Sequence, residues 1–545
     1  MGWPALVCLS IWGCPPPPPA TAGLGNVLWI VDFNRQSLDR VVPGVRAAQW
    51  QSHFEAAGWQ VLEVKYGHRL REAFTQPGGN HLRTWIDRMP NEHYQSLFGL
   101  DGDELRTRFL EGAPEEIHQC VAQYADPELK ALVTDLGGHD IASLLDAFEA
   151  ADSDTARPTV IFAYTVKGWG LPHAGNPRNH SALLSGEQIE DLRAKVGLTP
   201  HDEWDRFDPA SAAGILAAQR RQDLALPPRH PGIDVSVSPN GDLRLTKPIS
   251  TQEVFGRVLV DLSRDPAVAP YLVTTAPDVA TSTNLAGFIN RVGVFAPEDR
   301  HEWSQDPLLK WSEGPSGQHI ELGISEMNLF LLLGQLGLSW DLSHQQLIPI
   351  GTVYDPFVLR GLDALVYGVY SGSRFIIAGT PSGVSLAAEG GAHQSTITAS
   401  VGLELPGLTL IEPAYGTALD WLLRDAVQRI ASGSTHEPTA GPTDEGACYF
   451  RLTTRPIDQA PFEAARARYG DTVLRRAVLS GGYRLVDAAD LDLPPEAPRV
   501  HVVASGAVLP EALDAAAELA DEGIAASVVD VTSLDRLYKS WQRTL

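Results

Sequence analysis

The chain is 545 residues long, carries a formal net charge of -25 and is 44% hydrophobic. That length leaves room for two to four domains, and the apolar content excludes an intrinsically disordered chain. So acidic a chain lacks the basic surface nucleic-acid binding requires, and four scattered cysteines (Cys8, Cys14, Cys120, Cys448) make neither a disulfide framework nor a zinc site.

No apolar run approaches the ~18 residues of a membrane helix, so no membrane partner is expected. A reducing cytoplasm is the expected home. Residues 1–25 form an atypical proline-rich leader. Its apolar run Ala5–Trp12 lacks a basic flank and meets Pro15–Pro19, which is unlike a secretory signal. From Asn26 the pattern reads as α/β. Val27–Val31 is a short apolar run of the kind buried in parallel sheets, Trp50–Gly58 reads as a helix, and Trp59–Val64 as the next strand. An insertion at about 78–140, polar and irregularly helical, precedes a helix at Ile141–Ala151 and a strand at Pro158–Tyr164. This alternation predicts a doubly wound parallel sheet over 26–225.

Residues 226–248 are rich in proline, glycine and charge and read as a linker. A second doubly wound domain is expected over 249–470, with strands near Tyr271–Thr274, Leu347–Ile350, Arg374–Ala378, Leu408–Ile411 and Ala447–Leu452. Residues 471–545 supply one further βαβ unit: strand Arg499–Ala504, a helix over 509–522 and strand Ala526–Asp530. One such unit cannot cover both faces of a parallel sheet, so the C-terminal α/β domain is expected to be partial.

Four clusters carry chemistry. Asn34 and Gln36, in Asp32–Asp39 after the first strand, offer hard oxygen donors suited to magnesium, although the same residues make ordinary turns. Tyr164-Thr-Val-Lys-Gly-Trp-Gly170 ends a strand in Lys167 and glycines, and the loop after it holds His173 and His180, like an active-site lid. Glu326 lies in Glu321-Leu-Gly-Ile-Ser-Glu-Met-Asn328 and runs into Leu329–Leu333, while Tyr354-Asp-Pro-Phe357 follows the next strand. A carboxylate in such apolar surroundings can share a proton with a ring nitrogen, or can simply sit at a helix start capped by Ser325. In Ala388-Glu-Gly-Gly-Ala-His-Gln394 glycines allow close backbone approach to a ligand, and His393 can hydrogen-bond a substrate oxygen.

The set resembles the thiamine-diphosphate enzymes of the transketolase and homodimeric pyruvate dehydrogenase group. Gly323-Ile-Ser-Glu-Met-Asn328 is similar to the family's glycine-to-glutamate motif, and Glu389-Gly-Gly-Ala-His-Gln394 to its histidine loop. Asn34-Arg-Gln36 with Leu38-Asp39, Gly137-Gly-His-Asp140, and Val166–Gly170 followed by Asn179-His180 resemble the homodimeric pyruvate dehydrogenase branch. The resemblance implies tandem doubly wound thiamine-diphosphate-binding domains of transketolase-like fold, with thiamine diphosphate and Mg2+ as cofactors. It implies a homodimer, a 2-oxo acid substrate such as pyruvate, and acetyl transfer to a lipoyl-bearing dihydrolipoamide acetyltransferase. It makes Glu326 the proton partner of the pyrimidine ring, Phe357 and Tyr354 its stacking residues, and His393 the group steadying the substrate oxygen. His180 would serve transfer to the lipoyl arm, Lys167 and Asp278 would lie at the cofactor and substrate, and Asn34 and Gln36 would ligate magnesium.

One departure stands out. The family carries a further magnesium-ligand aspartate upstream of this asparagine, whereas no acid precedes Asp32, and Gly102-Asp103 lies on the wrong side of Asn34. With the short third domain, this reads as a truncated or mis-started chain. Two alternatives therefore accompany oxidative decarboxylation: transketolase-type ketol transfer, and a catalytically impaired fragment or paralogue acting as a scaffold.

Overall fold

The computed structural model describes residues 23–225, 235–241, 243, 245, 247–301, 303, 311–385, 390–431 and 446–545. Most of the leader, much of the expected linker, and Glu389 lie outside the described residues. The chain divides into two compact units, Met1–Ala225 and Leu226–Leu545.

The first unit is built on a parallel sheet of three strands, β1 (Leu28–Phe33), β2 (Gln60–Val64) and β3 (Thr159–Tyr164), in the order β1-β3-β2. β3 is the continuous apolar run Thr-Val-Ile-Phe-Ala-Tyr, and all six residues are buried, as a central strand covered on both faces requires. β1 corrects the sequence reading. It lies at the sheet edge and leaves Leu28, Trp29 and Ile30 exposed, so its apolar run is not covered on both faces as a central strand's is. The insertion is more ordered than its polar sequence implies. Helices Gly79–Arg88, Asn91–Ser96, Gly102–Phe109, Glu115–Val121 and Asp126–Val133 bury Leu82, Leu97, Leu105, Phe109, Ile117 and Leu129 in a core continuous with Phe33, Phe162 and Tyr164. Asp103 of the Gly102-Asp103 pair sits in the first turn of one of these helices. Helices Gly186–Lys195 and Ala212–Asp223, which the sequence reading did not anticipate, follow the lid loop.

The second unit holds an all-parallel sheet of eight strands: β4 (Leu272–Ala276), β5 (Val294–Phe295), β6 (Glu313–Gly314), β7 (His319–Glu321), β8 (Ile348–Val353), β9 (Ile376–Gly379), β10 (Leu408–Ile411) and β11 (Ala447–Arg451). Their order is β10-β11-β9-β8-β4-β7-β5-β6. The five strands the sequence reading expected, β4, β8, β9, β10 and β11, match it to within two residues at most ends. The short strands β5 to β7 escaped it, because two or three residues carry no readable periodicity. The expected terminal βαβ unit is present as β13 (Arg499–Ala504), helix Leu509–Asp521 and β14 (Ala525–Val531), but a strand before it, β12 (Gly482–Val486), joins antiparallel to give the order β12-β14-β13. This smaller sheet shares one core with the larger, in which Tyr415, Phe462, Tyr483 and Leu509 are all buried. Direct hydrogen bonds tie them as well: Leu410 N–H donates to Asp535 at 2.7 Å, and Ser533 Oγ donates to the Leu410 carbonyl at 2.7 Å.

Among the described residues no helix is long and apolar enough to cross a membrane. Nearly every residue singled out in sequence follows the carboxyl end of a parallel strand, where such sheets offer backbone and side chains to ligands.

Candidate active site

In the first unit, Asn34 and Gln36 leave β1 in a turn closed by the Gln36 N–H donating to Asn34 Oδ1 at 2.9 Å. Between them Arg35 takes a left-handed conformation, φ 58°. Gln95 of the insertion fixes this turn from outside: its amide donates to the Asn34 carbonyl, and the Gln36 amide donates to it, both at 2.8 Å. Asn34 Nδ2 also donates to Asp32 at 3.2 Å, and Thr165 at the end of β3 donates to the other Asp32 oxygen. The turn reading and the donor reading therefore coexist. Both Asp32 oxygens and Asn34 Oδ1 are hard oxygens that already accept at the turn, and Gln36 Oε1 is a further one on the same short segment. Among the described residues, no group of three or more His, Cys, Asp or Glu side chains converges as a metal centre.

β3 leads into Lys167, whose ammonium lies 3.0 Å from His180 Nδ1, so the structure brings these two predicted residues together. Asn179 donates its side-chain amide to the Lys167 carbonyl. Gly168 is required here, with φ +74° and an imagined Cβ only 2.2 Å from Asn179 Nδ2. His139 of the Gly137-Gly-His-Asp140 motif accepts from Val166 N–H at 2.8 Å through Nε2, which places its proton on Nδ1. Its ring stacks on Trp169 at 4.8 Å, and burial lowers its pKa despite the nearby Asp32 charge. Sequence reasoning quoted this motif without assigning His139 a task; the structure makes it the prop beneath the Lys167 turn.

In the second unit, Glu326 is the first residue of helix Glu326–Leu336 and is 8% exposed. Ser325 makes no side-chain cap, which removes the simplest structural reading of this acid. Glu326 is not an isolated carboxylate either. Arg360 Nη1 donates to Glu326 Oε1 at 2.8 Å, and the same guanidinium lies 3.6 Å from the centre of the Phe357 ring. Tyr354 and Phe357 are 6.0 Å apart, and His393 packs edge-on to Tyr354 at 5.3 Å and tilted against Phe357 at 5.5 Å. Glu326, Arg360, Phe357, Tyr354 and His393 therefore form one connected cluster.

Two carboxylates that sequence reasoning passed over hold it in place. Asp355, fully buried between the two aromatic residues, accepts from Thr398 Oγ1 at 2.6 Å, from Ser395 Oγ and from Tyr449 O–H, and lies 3.4 Å from Arg451. Arg451 in turn grips Glu412 with two contacts of 2.8 Å. Ser395 is two residues from His393, so one acid fixes both the aromatic turn and the histidine loop. The second acid is Glu321, at the end of β7. Its Oε1 collects the N–H groups of Asp278, Leu322 and Gly323 at 2.8, 3.1 and 3.2 Å. Burial works to raise its pKa, but His319 and these amides outweigh it and hold Glu321 below the usual carboxylate value. Asp278 is thereby held at φ 62°, tied to the loop that ends in Glu326. A signal for both acids was present: each closes or follows a buried strand, where an unpaired carboxylate would be costly.

The comparisons with known proteins can now be set beside this geometry. Residues 117–209 match the thiamine diphosphate binding domain of transketolase, 236–437 the middle domain of the pyruvate dehydrogenase E1 component, and 490–543 the transketolase C-terminal domain. The chain is similar in sequence to pyruvate dehydrogenase E1 components. It is 25% identical over 544 residues to the pyruvate dehydrogenase E1 component of Escherichia coli (strain K12), an alignment covering 95% of this chain and 59% of the relative. It is 23% identical over 526 residues to that of Cupriavidus necator, covering 90% and 55%. The chain thus spans less than two thirds of the length of these E1 components. The fold is transketolase-like: transketolase from Leishmania mexicana superposes with a TM-score of 0.59 at 18% identity, over 96% of this chain and 63% of that one.

Proposed function

We propose that this chain belongs to a thiamine-diphosphate-dependent decarboxylase of 2-oxo acids, with pyruvate as substrate and a lipoyl-bearing dihydrolipoamide acetyltransferase as acceptor of the acetyl unit. The carrying observation is the Glu326–Arg360–Phe357 stack. A planar, nitrogen-bearing guanidinium meets the Glu326 carboxylate at its edge and the Phe357 ring at its face. A flat aminopyrimidine has the same two requirements, so these residues fit that half of the cofactor. Thiamine diphosphate, when bound, supplies the electron sink that decarboxylation needs.

The chain's own residues supply the rest. Glu326 holds or yields a proton at its carboxylate oxygen toward a ring nitrogen, while Phe357 and Tyr354 hold the ring flat. His393, braced against both aromatics, donates to a substrate oxygen as negative charge grows there. Asp278, fixed by Glu321, faces the substrate, and Lys167 with His180 assists transfer to the lipoyl arm. Asn34 and Gln36 are the magnesium ligands of this reading, with Asp32 as the nearest carboxylate. A homodimer in the cytoplasm completes the proposal.

The test is pyruvate-dependent dye reduction by the purified chain with thiamine diphosphate and Mg2+. Turnover is expected in the parent and a loss of about a hundredfold or more in Glu326→Gln, with cofactor binding retained. Saturable cofactor binding without turnover on any 2-oxo acid would contradict the assigned reaction.

A further inference from the structure

The first unit contains a small cavity of 180 Å³ lined by Arg35, Lys65, Tyr66, Asp87, Tyr94 and Tyr164, with Phe33, Ile86 and Leu136 among its apolar walls. Its size corresponds to about six water molecules at ~30 Å³ each, well below the pockets that take nucleotides or drug-sized ligands. Arg35 is its unusual member. The guanidinium lies 5.6 Å from the centres of both the Tyr94 and Tyr164 rings and donates to the Thr165 carbonyl at 3.1 Å. Its Nε is buried and has no hydrogen-bond partner, and no carboxylate among the described residues pairs with it.

The acid lining the same cavity is already committed. Asp87 accepts from Lys65 Nζ and Tyr66 O–H, and Arg83 lies 3.7 Å away. Asp87 is thus shared between Lys65 and Arg83, and Glu63, which also acts on Tyr164, accepts from Gln51 at 2.7 Å. Asp135, which also faces Tyr94, spends its carboxylate on the N–H groups of Arg69 and Leu70. A second donor at the cavity is the Tyr164 hydroxyl, whose pKa burial pushes up to about 12. A half-buried guanidinium whose Nε is buried and unpartnered lacks compensation, and a planar carboxylate is the group its fork matches.

We propose that this cavity binds a short-chain carboxylate, seated on Arg35 with the Tyr164 hydroxyl as second donor and its carbon tail against Phe33, Ile86 and Leu136. Phe33, Ile86 and Leu136 give the carbon tail of an organic acid a contact that inorganic phosphate would not use. The site is built from residues of the first unit and does not rest on the reaction proposed above.

The test measures the unfolding midpoint of the full chain, without cofactor, against sodium propionate and sodium phosphate, each with sodium chloride at matched ionic strength. Propionate is expected to raise the midpoint saturably in the parent and equally in Glu326→Gln. The response should weaken at least about tenfold in Arg35→Met, the loss of a charge-assisted hydrogen bond. It should vanish in Ala47→Phe, whose ring would fill the cavity while leaving Arg35 in place; this variant decides the matter if Arg35→Met does not fold. A response no greater than that of chloride, or one that survives in Ala47→Phe, overturns the proposal. A phosphate response equal to that of propionate overturns the assignment to carboxylates.

Discussion

Buried carboxylates organise this protein, and each is held by a different balance. Asp355 has no exposed surface and answers to Arg451, Tyr449, Ser395 and Thr398 at once. Removing it leaves Arg451 with Glu412 alone, takes the buried acceptor from Tyr449, Ser395 and Thr398, and frees the histidine loop from the aromatic turn. Asp355→Ala is therefore expected to cost about 3 kcal/mol or more in chemical denaturation, and Asp355→Asn less, since it keeps the shape and one acceptor. Asp530 in β14 is the opposite case. Burial lifts its carboxyl to about 7 against the single opposing hydrogen bond from Tyr483 at 2.7 Å. A carboxyl raised in the folded state contributes stability fully present below its unfolded value and lost as pH rises through the folded one. The window here runs from the unfolded value near 3.8 up to about 7. Asp530→Asn should raise the unfolding midpoint more at pH 8 than at pH 5. An equal gain at both pH values would show that the carboxyl is not titrating in this window.

At the scale of elements, the helix that begins at Glu326 is set against its neighbours by glycines. Gly334 on this helix and Gly368 on helix Leu362–Tyr370 approach so closely that a Cβ on either would touch the other's Cα at 3.4–3.5 Å. Tighter still is Gly361, where a Cβ would fall 2.2 Å from Phe330 Cδ2 and 2.8 Å from the Glu326 carbonyl. Gly361→Ala must push the Arg360 turn away from the Glu326 helix. Overpacking of this kind costs about 1–3 kcal/mol, read as a lowered midpoint in thermal unfolding. Because the displaced turn carries Arg360 and Phe357, the same variant should also weaken thiamine diphosphate binding. A stable Gly361→Ala protein with unchanged affinity would mean that the stack tolerates displacement. In the first unit, Gln95 plays the corresponding part: the helices of the insertion are what hold the Asn34–Gln36 turn in shape.

Across the whole molecule, the central strands were legible because β3, β8 and β9 are continuous apolar runs buried end to end. The motif residues were legible because such sheets collect function after strand ends. What escaped shares a physical cause. β5, β6 and β7 are too short to show a period, and the helices of the insertion are polar because each buries only a narrow stripe. Arg360, Asp355, Glu321 and Arg35 act through partners distant in sequence, and nothing in a local pattern names a partner. The same limit turned Glu326 from an expected lone acid into one half of an ion pair with Arg360. Central to the proposed function is a spacing of Glu326 and Phe357 that holds an aminopyrimidine. Calorimetric titration of the chain with thiamine diphosphate in the presence of Mg2+ tests it most directly. The account predicts saturable binding that weakens about tenfold or more in Phe357→Ala, as loss of a buried stacking face should cost. Absence of saturable heat in the parent, or equal affinity in Phe357→Ala, would contradict it.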